Sequence, residues 1–347
     1  MVTNRERMRA AFAMDEIDRP AVIGKTVLTP DTFQRAGADP VGLFDRPKDL
    51  VALAKAAVEL YGFENWEIFQ IWSHTEFLGV EIEYNAPNPY VRSSPYTLGG
   101  EFEAPDMDAF LKDPKIQNVI ERYRLLRKAA GKDEAISGIT SWGPLTMAGH
   151  LVGTENLMFG IATDPDEVKR VIQFCAEFNA EAYKMLLSPG NVDMLDYLAV
   201  ADPTASGDML STEMFVEYAL PYNQIEQKAI RSTGMLTELH ICGDTTDHLP
   251  FIAQTGANAI SIEQKVDPYK AYKLVGDKVA LCGNVGPIMP LLEGTVDDVR
   301  RETQKCIDAG FRIISPGCSI AAASPAENLR AMAETVKQYG RHIPRGA

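Results

Sequence analysis

A histidine and a cysteine two residues apart, His240 and Cys242, close an apolar run that begins at Met235 and stops at Gly243. Side chains in a strand alternate with period two, so this imidazole and this thiol leave the same face together. Nitrogen and sulfur aimed at one point are ligands that zinc takes readily. A second short apolar run, Phe311 to Ser315, leads into Pro316-Gly317-Cys318. Cys318 supplies a third ligand if the fold brings the two strand ends together. A cysteine by itself is more often a small buried apolar side chain. Cys175, Cys282 and Cys306 each lie inside an element and are read that way.

The elements that must position these residues alternate along the chain. An amphipathic helix from Asn4 to Ala13 precedes a short strand at Ala21-Val22-Ile23, and a helix from Lys48 to Tyr61 precedes a strand from Trp66 to Trp72. A stretch rich in Pro, Gly, Ser and Tyr, residues 85–103, follows; it is too long for an ordinary connection and reads as a lid or a small ribbon. Further strands are expected at Ala135–Trp142, Met194–Ala201, Met235–Cys242, Ala259–Glu263, Val279–Asn284 and Phe311–Ser315. Helices are expected between them at Asp164–Leu187, Thr212–Ser232, Thr246–Thr255, Pro268–Val275 and Val296–Ala309. The last helix opens at Ser324-Pro325-Ala326-Glu327, which has the form of a capping box. Eight near-continuous apolar strands alternating with helices predict an α/β fold, a (β/α)8 TIM barrel forming one domain over residues 1–347. It carries an N-terminal helical extension and the inserted loop near 85–103.

In such barrels the chemistry sits at the C-terminal ends of the strands. Most strands here end in polar residues that a buried run does not need: His74 and Glu76, Asp202, His240 and Cys242, Glu263, Asn284 and Cys318. One topology gathers them all around one mouth. Asp202 serves equally well as a cap for the turn before Pro203, and Asn284 as one near Gly286. His150, His248 and His342 are read as structural.

The formal charge of −14, with no lysine- or arginine-rich run, argues against nucleic acid and anionic membranes as partners. Five cysteines in 347 residues do not resemble a secreted disulfide framework. No apolar run approaches membrane-spanning length and the N-terminus shows no signal core, so a cytoplasmic location is expected.

The stretches Leu239-His240-Ile241-Cys242-Gly243, Ile262-Glu263-Gln264-Lys265, Gly283-Asn284-Val285 and Pro316-Gly317-Cys318-Ser319-Ile320 resemble motifs of the uroporphyrinogen decarboxylase superfamily. More narrowly they resemble its zinc-dependent corrinoid methyltransferase branch, which includes methylcobamide:coenzyme M methyltransferases and some O-demethylases. Glu6 to Ala11, Asp18-Arg19-Pro20, Gly143 to Thr146 and Ala201 to Ser206 extend the resemblance over nearly the whole chain. The decarboxylase holds its carboxylate-rich substrate with an arginine-rich segment after the first strand. Here Ile23 to Asp31 offers one lysine, Lys25, and no arginine. Decarboxylation is therefore the second reading, and a non-catalytic corrinoid or porphyrin carrier with structural zinc the third.

The resemblance implies a methyltransferase that moves a methyl group between a corrinoid and a small molecule. Zinc on His240, Cys242 and Cys318 keeps one position for substrate, with Glu263 as displaceable fourth ligand or as the base that takes the substrate proton. A thiol would be held as the attacking thiolate, whereas a methyl ether would be polarised for attack by cobalt. Two thiolate ligands favour the thiol; Tyr90 and Tyr96 in the inserted loop would wall an aromatic pocket and favour a methoxyarene. His74, Glu76, Asp202 and Asn284 are the remaining substrate or corrinoid contacts expected. The sequence carries no Asp-x-His-x-x-Gly cobalamin segment, so the corrinoid is expected on a partner protein docking at the barrel mouth.

Overall fold

A computed structural model of the chain describes residues 2–69, 72–84, 89–192 and 194–345. Eight strands line up in parallel: β1 (Ala21–Val22), β2 (Asn65–Phe69), β3 (Ala135–Trp142), β4 (Tyr197–Ala201), β5 (Leu236–His240), β6 (Ala259–Ser261), β7 (Ala280–Val285) and β8 (Ile313–Pro316). Their hydrogen-bonded order runs β1-β8-β7-β6-β5-β4-β3-β2. Strands covered by helices on one side and facing one another on the other bury both faces, which is why each reads as a continuous apolar run. The sheet curls until β1 and β2 meet. There the Asn65 amide accepts from Gly24 N–H and donates to Gly24 C=O, both at 3.0 Å, and Glu64 N–H reaches Val22 C=O at 2.9 Å. This nearly closed (β/α)8 barrel is the architecture that the strand pattern predicts.

The lower end of the barrel is plugged by the helix Asn4–Phe12. Met8, Ala11 and Phe12 pack against small interior residues, Ala21, Ala135, Ala259 and Ala280, and Phe12 stacks on Tyr197 with ring centroids 4.3 Å apart. Asp18-Arg19-Pro20 has a structural role at the same end. Arg7, buried, pairs with Asp18 at 2.8 Å and with Glu64 at 3.1 Å, and Arg19 also pairs with Glu64. Alanines on the strands leave room for the plug, so the interior can be filled without bulky residues from every strand.

Several expected elements are shorter or broken. The helix predicted over Thr212–Ser232 is two, Thr212–Tyr218 and Leu220–Ser232, because Pro221 cannot donate to the preceding turn and clashes with it. The Thr246–Thr255 helix shrinks to Leu249–Ile252. The capping box expected at Ser324 does not form: the helix starts at Ala326 with Pro325 at the cap, which leaves Ser324 one residue too early to reach the third amide. The inserted stretch is a two-stranded antiparallel ribbon, Glu81–Glu83 with Tyr90–Ser93, followed by irregular chain; residues 85–88 of the expected insertion lie outside the described residues. Among the described residues no helix is long and apolar enough to cross a membrane.

Candidate metal centre

Register sets the site. Ala201 of β4 lies beside His240 of β5, His240 beside Ser261 of β6, and Ser261 beside Cys282 of β7. His240 is therefore the last residue of its strand, at the upper rim. Cys242 follows two residues on, and Gly243 turns the chain away with φ +79°. A side chain at Gly243 would strike Ser206 and Asp208, so only glycine fits both the angle and the space. From the other side of the barrel, β8 ends at Pro316 and presents Cys318.

The three ligand atoms converge within 4.8 Å of one another. His240 Nε2 lies 3.1 Å from Cys242 Sγ, and the two sulfurs are 3.7 Å apart. Two sulfurs bound about 2.3 Å from one ion at the tetrahedral angle lie about 3.8 Å apart. The spacing fits a metal-binding set, and both cysteines are partly exposed. The contact between the two sulfurs draws Cys318 well down toward thiolate and, together with burial, pushes Cys242 up. Two sulfurs this close carry negative charge together only with a cation between them. Among the described residues no other cluster of His, Cys, Asp or Glu shows such convergence.

The URO-D (uroporphyrinogen decarboxylase) family profile matches residues 3–339. The chain belongs to the uroporphyrinogen decarboxylase family. Within it, the chain lies on the corrinoid methyltransferase branch. It is 32% identical over 346 residues to methylcobamide:CoM methyltransferase MtbA of Methanosarcina mazei, covering 97% of this chain and 98% of the relative. To the MtbA of Methanosarcina acetivorans it is 30% identical over 342 residues, with the same coverage. A solved methyltransferase structure from Methanosarcina mazei superposes with a TM-score of 0.89 at 26% identity, covering 98% of this chain and 99% of that one.

In this URO-D barrel Glu263 stands two residues beyond β6, beside the candidate centre but not among the converging ligand atoms. Its Oε2 accepts from Gly243 N–H, directly after Cys242, and its Oε1 accepts from Gln264 Nε2 at 3.1 Å. Asn284 is committed to the same corner. Its amide donates to the Glu263 and Val266 carbonyls at 3.1 and 2.7 Å, and its oxygen accepts from the Cys306 thiol. Asp202, fully buried, accepts from Thr146 N–H and Oγ1 at 2.8 and 2.7 Å and from Asn223 Nδ2 at 2.9 Å. Burial raises its carboxyl above the ordinary value, and these three donors oppose the rise. Both residues bind loops at the rim rather than point into the mouth.

The contacts expected at the end of β2 are placed elsewhere. His74 sits on a helical turn, Ser73–Phe77, and is wholly buried in the helical layer against Phe110, Phe178 and Tyr183, with Nδ1 3.0 Å from Asn179 Oδ1. Burial lowers its pKa to about 4. Glu76 pairs with Lys115 at 2.6 Å and accepts from Tyr84 at 2.9 Å. Tyr96 leans on Phe102 (4.8 Å between centroids), and Tyr90 is 53% exposed on the ribbon. Where a strand stops, the period-two argument stops with it, and the chain's next turn decides the direction of each side chain.

Two features at the mouth lie outside that expectation. Trp72, Trp142 and His150 pack together with centroids 5.0 to 5.3 Å apart beside Ala201, next to His240 in the sheet. Beneath His240, Lys25 and Glu238 form a buried ion pair at 2.7 Å. The second had a readable signal: Glu238 stands two residues before His240 and so shares its face.

Proposed function

We propose that this protein transfers a methyl group between a corrinoid, carried by a partner protein that docks at the barrel mouth, and a small thiol. His240, Cys242 and Cys318 hold a zinc ion there, and the thiol takes the position they leave open. The observation that carries this reading is the convergence of one imidazole and two thiols at the rim of a barrel related along its length to methylcobamide:CoM methyltransferases. When bound, the ion lowers the pKa of the acceptor thiol so that the nucleophilic thiolate is present at neutral pH.

The chain's own residues do the rest. Two thiolate ligands donate charge to the ion, which weakens it as a Lewis acid for ether oxygen and suits a soft sulfur acceptor. Glu263 takes the thiol proton: its carboxylate is held at the Gly243 amide, one residue from Cys242. The Gly243 turn and the Asn284 contacts keep that carboxylate in place. Tyr96 leans on Phe102 and Tyr90 is exposed on the ribbon, so this reading gives neither tyrosine a part.

The test mixes the zinc-loaded protein and methylcobalamin with coenzyme M and other small thiols, and in parallel cob(I)alamin with methoxyarenes. The visible absorbance of cobalt reports turnover. Thiol-dependent loss of the methyl–cobalt spectrum is expected, and its absence in Cys242→Ser. Demethylation of methoxyarenes with every thiol inert would reject the proposed acceptor.

A further inference from the structure

The first ligand of the centre is held from below. The Nδ1 of His240 meets Ser261 Oγ at 2.9 Å and the Ser261 carbonyl oxygen at 3.3 Å. A carbonyl can only accept, so Nδ1 carries the hydrogen and the Nε2 lone pair is left toward the sulfurs. The Ser261 hydroxyl is held against the ring from its other side by Lys25, whose ammonium donates to Ser261 Oγ and to Glu238 Oε1. The side chains of Lys25 and Glu238 are 11% and 3% exposed, inside a barrel where branched aliphatic residues are the rule.

The same corner supports the third ligand. The Lys25 carbonyl accepts from Ile320 N–H at 3.0 Å, and Ser319 Oγ lies 3.1 Å from Thr26 Oγ1, so the two residues after Cys318 are tied to residues 25 and 26. Thr26 has φ +52°, a conformation a β-branched residue rarely adopts, and its N–H is fixed by Glu67 Oε1 at 2.8 Å. Strain of this kind persists where surrounding contacts over-determine it.

We propose that Lys25 is a positioning residue of the metal centre. Its ammonium fixes Ser261 Oγ in place against His240 Nδ1, which holds the ring in the orientation that ligates through Nε2, while its backbone anchors the Cys318 loop. This rests on the zinc reading above. Outer partners of ligating histidines are worth roughly 10–100-fold in metal affinity.

The test measures zinc affinity by competition with a chromophoric chelator, and the thiolate-to-metal absorption of the cobalt-substituted protein. Lys25→Met combined with Glu238→Leu removes the pair without stranding a buried charge. Ser261→Ala removes the link alone and decides the matter if the double variant does not fold. With the melting temperature of the metal-free form retained, each is expected to bind zinc about 10–100-fold more weakly, with a shifted cobalt spectrum. Lys25→Arg, which keeps a donor, is expected to recover most of the affinity. Folded variants that bind zinc as the wild type does would overturn the role of Lys25 alone. Wild-type protein that binds no zinc would overturn the metal centre along with it.

Discussion

Substituting Cys318 with serine isolates the contribution of one donor. Its sulfur meets Cys242 Sγ at 3.7 Å and lies beside His240, and the residue is partly exposed on a loop beyond β8. The metal-free fold should change by less than about 1 kcal/mol. Four-donor zinc sites hold the ion with roughly 10–16 kcal/mol near neutral pH, so each donor carries roughly 2.5–4 kcal/mol. At 1.4 kcal/mol per decade, the loss is about two to three orders of magnitude in Kd. The consequence for stability follows by mass action. Free zinc at 100 times the wild-type Kd stabilises the wild type by about 2.7 kcal/mol. At the same concentration a variant weakened 100-fold gains only about 0.4 kcal/mol. Urea unfolding with and without buffered zinc measures both numbers in one series. Equal zinc stabilisation of wild type and Cys318→Ser would refute the claim that this sulfur belongs to the centre.

Three further substitutions test the scaffold around it. Burial raises the Glu67 carboxyl to about 7, against the pull of Thr26 N–H and Lys25. The fold thus favours its neutral form, and wild-type stability should fall as pH rises from the unfolded value near 4.5 through 7. Glu67→Gln should escape this loss and be the more stable protein at pH 8 by up to about 3 kcal/mol, with little difference at pH 4; a pH-independent difference in urea midpoints would contradict it. Asp202→Ala strands Thr146 N–H and one hydrogen of Asn223 Nδ2, while Thr146 Oγ1 keeps Thr204 Oγ1 and Asn223 Nδ2 keeps the Ala219 carbonyl, for a loss of about 2 kcal/mol by chemical unfolding; a loss under about 0.5 kcal/mol would show that the rim does not depend on it. Gly243→Ala forces a side chain into Ser206 and Asp208 at φ +79°, and should cost about 1–3 kcal/mol and weaken zinc binding by moving Cys242. Crystals or cobalt spectra showing an undisturbed centre in that variant would count against the packing argument.

The sequence alone determined the local part of this protein. Apolar runs of strand length separated by helical periodicity were enough for eight parallel strands, because each strand is covered on both faces and needs no alternation. The two-residue step from His240 to Cys242 suggested two ligands on one face; the ladder in fact ends at His240, and it is the extended chain kept up to the Gly243 turn that brings Cys242 Sγ to 3.1 Å from His240 Nε2. Cys318 was recognisable only through the assumption of a closed barrel: it is 76 residues from Cys242, and only the register of β5 through β8 brings them within bonding reach of one ion. The fates of His74, Glu76, Asp202 and Asn284 show what the tertiary structure decided. All four stand at or just beyond the ends of buried strands and look alike in the sequence, yet one enters the helical layer, one pairs with Lys115, and two tie rim loops together. Beyond the last ladder bond no periodicity dictates where a side chain points; that depends on which loop passes overhead and which donors it leaves unpaired. The support of His240 by Ser261 and Lys25 belongs to the same class, because it joins residues from β6 and from the loop after β1 that are neighbours only once the barrel has closed.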